Sequence, residues 1–142
     1  MTTKEYLQQI HRLSEEIRCN RRRISEIESD ISGLKAIDYS GDKVGGSGDP
    51  DQMASKVARL VDLEQRIADE TVELQETKDT IIGEIRSMSN AKYVTLLTMR
   101  YVECERWERI AVDMNLTMRW VYQMHGNALK AFEEIKKSKT AL

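Results

Sequence analysis

Proline is nearly missing from this chain: Pro50 is the single one among 142 residues, and phenylalanine likewise occurs once. So little proline leaves helices free to run long, because proline breaks the i to i−4 hydrogen-bond ladder and clashes with the preceding turn. The two cysteines, Cys19 and Cys104, are too few for a disulfide scaffold or a structural zinc site, and they read as reduced thiols. No apolar run approaches the roughly 20 residues of a membrane span, and the polar opening MTTKEYLQQ has no secretory signature. The expected setting is the cytoplasm, with no membrane partner.

Signs of catalysis are equally scarce. His11 and His125 belong to no HExxH or Cys/His ligand spacing, and the many carboxylates repeat along solvated helix faces. The glycine-rich stretch from Ser40 to Pro50 lacks the GxxxxGK[ST] pattern and follows no strand, which argues against a phosphate-binding loop. The chain is expected not to be an enzyme and to hold neither metal nor cofactor.

What the sequence has instead is charge, 32% of its residues, laid out at helical spacing. Ile10, Ile17, Ile24 and Ile31 share one heptad position, and Tyr6, Leu13, Ile27 and Leu34 share another, with Asn20 the one polar member. A 3.5-residue repeat held this long predicts a helix in a coiled-coil-like contact. The pattern dissolves over about residues 36–52, read as a loop, where Asp49 or Asp51 offers a cap for the next helix. That helix is predicted from about Asp51 to about Met88. Met53, Leu60, Ile67, Leu74, Ile81 and Met88 keep one position, and Ala54, Val61, Ala68 and Ile82 widen the stripe.

Residues 1–89 are therefore expected to form an antiparallel coiled-coil hairpin. A register with Leu34 facing Val57 sets Asn20 opposite Thr71, a polar layer that would pin the pairing. It also brings Arg18, Arg21, Arg22 and Arg23 beside Asp69, Glu70, Glu73 and Glu76.

Ser89-Asn90 ends the second helix, and residues 90–142 read as a three-helix unit. The charge changes sign there: 13 Lys+Arg against 18 Asp+Glu up to residue 89, then 9 against 6. A helix-turn-helix needs a small residue where its helices cross, an apolar plug in the turn and apolar inward positions on the reading helix. Ala111, Leu116 and then Val121, Met124, Ala128 and Leu129 supply them, and Thr117 is a good N-cap. Thr117, Met118, Arg119, Tyr122, Gln123, Asn127 and Lys130 remain as the expected DNA-binding set. Gln123 suits adenine and Arg119 suits guanine or phosphate, while Lys130 and Arg106 suit the backbone. Trp107 is expected in the core, Trp120 at a partly buried edge of the reading helix, and His125 near the same helix's buried side.

The stretch Leu97, Arg100, Tyr101, Glu103, Trp107, Ile110, Ala111, closing with Ala128, Leu129, Lys130 and Phe132, resembles the promoter-reading fourth region of bacterial sigma factors. Asn115 stands where that pattern has glycine, and Arg109 where it has a glutamate before Ile-Ala. Over most of its length the chain is similar to a family of phage and prophage proteins of Gram-positive bacteria. The residues concerned are Ser40–Val44, Asp51–Ala54 and Val57–Glu64. The resemblance implies an all-α phage transcription regulator. Its partners would be double-stranded DNA, a second copy joined through the hairpin, and host RNA polymerase. Two other readings stay open: a DNA-packaging protein like the small terminase subunits, and a helical adaptor that binds no DNA.

Overall fold

The computed structural model describes residues 1–39 and 50–140, and among them every regular element is helical, with no strand. Helix α1 (Thr3–Leu7) opens on a capping box. The Thr2 hydroxyl accepts the Glu5 N–H at 3.1 Å, and the Glu5 carboxylate accepts the Thr2 N–H at 2.9 Å. After a pause at Gln8 the chain continues as α2 (Gln9–Tyr39). Helix α3 (Pro50–Arg86) starts on the one proline, a first-turn position where no intrahelical N–H bond is lost. Helix α4 (Ala91–Leu97) begins at Asn90, whose side chain accepts the N–H groups of Lys92 and Tyr93 at 3.0 and 3.4 Å. A π-helical turn (Thr98–Val102), α5 (Trp107–Met114) and α6 (Met118–Thr140) complete the order. The expected loop over 36–52 is thus shorter at both ends, because the helices reach Tyr39 and resume at Pro50. Ser40–Asp49, and with them the capping role considered for Asp49, lie outside the described residues.

Two compact units divide the chain. One is Ser14–Glu73; the other joins Met1–Leu13 to Leu74–Leu142. In the first, Asn20 donates to the Glu70 carboxylate at 2.9 Å and Lys56 pairs with Asp30 at 3.7 Å. Residue numbers rise along α2 as they fall along α3, so the two segments are antiparallel. Ile17, Ile27 and Leu63 of the same unit are buried, as is Asn20. The polar layer is real, but its partner differs by one position from the expectation. Thr71 turns its hydroxyl to the Ile67 carbonyl at 2.6 Å and leaves Glu70 to meet Asn20. Val57 is 43% exposed and so is no seam residue opposite Leu34.

The arginine expectation also needs correction. Arg18 pairs at 3.5 Å with Glu15 of its own helix. Arg21, Arg22 and Arg23 are exposed and make no ion pair among the described residues. Arg21 and Arg22 follow Asn20 directly in sequence, and at about 100° per residue they swing away from the seam; Arg23 comes back to within about 60° of Asn20 and lines a groove with Arg59, Asp62 and Arg66 without an ion pair.

The second unit is built on one apolar core. Leu7, Ile10, Ile81, Ile85 and Met88 pack with Leu96, Leu97, Tyr101, Ile110, Ala111, Val121, Ala128 and Phe132. This core runs across residues 89–90, where the sequence reading divides the chain, because α1 and the last turns of α3 supply apolar side chains that the C-terminal helices bury. A polar clasp closes it on one side. Lys136 pairs with Glu84 at 3.3 Å and lies 3.2 Å from the Tyr6 ring centre, and the Tyr6 hydroxyl donates to Glu84. Burial, then the Glu84 carboxylate, push the Tyr6 phenol above its ordinary pKa. For Lys136 burial opposes the charge, but the bonds to Tyr6 and Glu84 outweigh it and raise the pKa.

The Asn20–Glu70 layer carries a further cost, since the second Glu70 oxygen is buried without a hydrogen-bond partner. Asn20→Leu is therefore expected to destabilise the protein by about 1–3 kcal/mol, because it orphans the remaining oxygen as well. Asn20→Leu combined with Glu70→Leu should recover that loss or exceed it. Urea unfolding of the two variants checks the order; a single variant more stable than the double would contradict it.

Candidate nucleic-acid interface

The α5–turn–α6 unit is set by one residue in the left-handed region. Asn115 ends α5 at φ 56° and ψ 47°, and its N–H bonds the Val112 carbonyl at 3.1 Å. The Leu116 N–H then reaches back to Ala111 at 2.9 Å. These two bonds make a Schellman close, and Asn tolerates the conformation better than other residues with a Cβ. Leu116 packs against the core, as a plug in the turn should. Thr117 caps α6: its hydroxyl accepts the Trp120 N–H at 3.3 Å, and its carbonyl accepts the Val121 N–H at 3.0 Å.

Val121, Ala128 and Phe132 are buried on one side of α6, and they orient the rest of it. Arg119, Tyr122, Gln123, Asn127 and Lys130 are exposed, as is Thr117. Met118 is not part of that face. It is half-buried against the core, because it lies three residues before Val121 and so on nearly the same side. Trp120 also differs from the expectation: its side chain is 58% exposed rather than tucked into an edge. Arg106, at the N-terminus of α5, is exposed, whereas Arg109 is drawn into a 3.4 Å pair with Asp113.

Behind Tyr122 lies a cluster that sequence reasoning missed. Trp107, expected in the core, is half-buried against it and meets Tyr122 edge-on at 5.4 Å and His125 edge-on at 4.6 Å. The Arg100 guanidinium lies 4.4 Å from the Trp107 ring centre and donates to the Glu105 carbonyl at 3.0 Å. Tyr101, on the π turn, bonds His125 Nε2 at 2.6 Å. Burial pushes the Tyr101 phenol up to about 12, so it keeps its proton and donates. Burial, with the nearby charges of Lys4 and Arg100, pulls His125 down to about 4, so its ring is neutral near pH 7. A neutral, internally bonded His125 is no cationic phosphate contact. The aromatic residues were visible in sequence, but their meeting needed two features that periodicity does not signal. One is the π turn; the other is the left-handed Cys104 at φ 57° that follows it.

Among the described residues no group of three or more His, Cys, Asp or Glu side chains is placed to hold a metal ion, and no helix is long and apolar enough to cross a membrane. What the surface offers is a helix face of mixed hydrogen-bonding and positive character.

Two outcomes test this geometry. Asn115→Gly should preserve stability, whereas Asn115→Ala should lose about 1 kcal/mol from forcing a Cβ-bearing residue without a compensating side chain into the left-handed region. Equal thermal midpoints for the two would remove the turn from the account. For His125 the folded pKa lies below the unfolded value, so the unfolded chain binds the extra proton first as pH falls. The stability tied to a neutral His125 is complete above about pH 6.5 and is lost as pH drops toward about 4. The stability gap between the parent and His125→Gln should accordingly narrow between those limits. An NMR titration placing the His125 midpoint near 6.5 would contradict the burial argument.

Compared with protein-family models, with curated proteins and with solved structures, the chain gives no match.

Proposed function

We propose that this chain is a DNA-binding transcription regulator of the phage and prophage type, reading the major groove with the N-terminal half of α6. The observation that carries the reading is the capped turn at Asn115–Thr117, which leads into a helix with one side fully buried and Arg119, Gln123 and Lys130 on the other. An exposed amide can bond an adenine edge bidentately, an exposed arginine can do the same for guanine, and lysine serves the phosphate backbone. The positive excess of residues 90–142 agrees with that use. Self-association, and a contact with host RNA polymerase, belong to the same reading. The packaging and adaptor readings have no specific observation in their favour.

Gln123→Ala should relax base preference at one position, by about 1–3 kcal/mol of discrimination, whereas Lys130→Ala should weaken binding to all sequences and lower the salt slope by about one. Gly126 adds a control that separates folding from binding. A Cβ built there meets nothing within the protein, so Gly126→Ala should stabilise α6 by about 0.5–1 kcal/mol. If the duplex backbone approaches that exposed position, the same variant binds more weakly despite its greater stability. Selection from random-sequence duplexes, followed by titration of the retained motif with each variant, measures all three. Retention of no sequence at near-physiological salt would overturn the reading in favour of the adaptor.

A further inference from the structure

The unit Ser14–Glu73 has an apolar line that its own helices leave uncovered. Val57, Val61 and Val72 on α3 are 43%, 56% and 59% exposed, and Ala54 and Ala68 are exposed between and beside them. Their spacing puts all five on one side of α3, over about 27 Å at 1.5 Å per residue. Exposed acidic residues, Glu64 and Asp69, flank this line on its two sides. An apolar ridge with an acidic rim calls for a partner that brings positive charge and small side chains.

The chain carries such a surface at the same height. The Asn20–Glu70 bond sets the level, and there α2 exposes Arg18, Arg21 and Arg22, which find no acidic partner on α3. Helical phase puts Arg18 and Arg21 on the same side of the unit as the valine line, with Ser14 and Ser25 next to them and Arg22 at the rim. We propose that this side is a homodimer interface, in which two copies pair about a two-fold axis parallel to the helices. Each α2 then lies along the partner's α3 with heights preserved. The arginines meet the acidic rim, and the serines leave room for the valines. The occupant is a second copy because one surface holds both signs, with Arg21 level with Asp69 across the Asn20–Glu70 bond, and an isologous contact requires such self-complementarity. Two copies related otherwise, α3 against α3, would oppose acidic rims to each other.

This inference deepens the self-association contained in the proposed function and does not depend on DNA binding, so its test is run without DNA. The mass of the full chain in solution, by light scattering or sedimentation, is expected to be twice that of one copy. Arg18→Glu with Arg21→Glu and Arg22→Glu should give a helical monomer, and so should Glu64→Lys with Asp69→Lys. Mixing the two variants should restore the double mass, since reversed rims become complementary. A parent that stays monomeric overturns the proposal, as does a dimer indifferent to both reversals, a ring of higher mass, or a mixture that remains monomeric. Duplex binding by the same proteins is read separately. An intact dimer that retains no DNA would sink the regulator reading and leave this interface standing.

Discussion

Val121, Ala128 and Phe132 occupy one line of α6 and are completely buried, and their burial determines which way every other side chain of that helix faces. A helix rolled by even a quarter turn would expose part of this line, and a buried side chain of that size is worth about 1.5–3 kcal/mol. The rotation is therefore stiff. Arg119, Gln123 and Lys130 stand outward because the opposite side is committed to Leu96, Leu97 and Ile110. Met118 and His125 fall on its margins and turn inward. The candidate interface is the complement of a packing constraint.

Polar groups do a second job, tying elements that apolar contact alone would leave free to slide. Tyr6, Glu84 and Lys136 join α1, α3 and α6 at one clasp with each charge answered. Tyr101 and His125 join the π turn to α6 in uncharged form, which suits a half-buried place beside Trp107. Asn20 and Glu70 differ, because one carboxylate oxygen is left buried and unanswered. A polar layer that costs stability yet fixes register is a known device of paired helices, since a shift of the pairing would bury both groups against apolar neighbours.

Helix α6 and the turn before it were legible because the turn chemistry is local: Ala111, Asn115, Leu116 and Thr117 lie within one short stretch and each answers a local need. The seam of α2 was legible because Ile10, Leu13, Ile17, Asn20 and Ile27 recur at heptad spacing and are buried. The arginine pairing was not, because proximity in a register does not give the direction in which a long side chain leaves its helix. Trp120 misled for a related reason. Bulk and apolarity suggest burial, but the residue precedes Val121 by one position and is rotated about 100° from the buried line.

The sequence by itself determined that the chain is helical, and it determined the conformation of the turn before α6, since both depend on residues within a few positions of one another. Capping, proline-free helix interiors and a left-handed asparagine are short-range matters, and short-range physics is written in the order of residues. Tertiary structure decided which helices share a core. It carried α1 and the end of α3 into the same unit as α4 to α6, brought Arg100, Tyr101, Trp107, Tyr122 and His125 together, and left the valine line of α3 bare. Those outcomes depend on which apolar surfaces find each other across the chain. No local pattern encodes that choice, because an apolar stripe states that it must be covered and not by what.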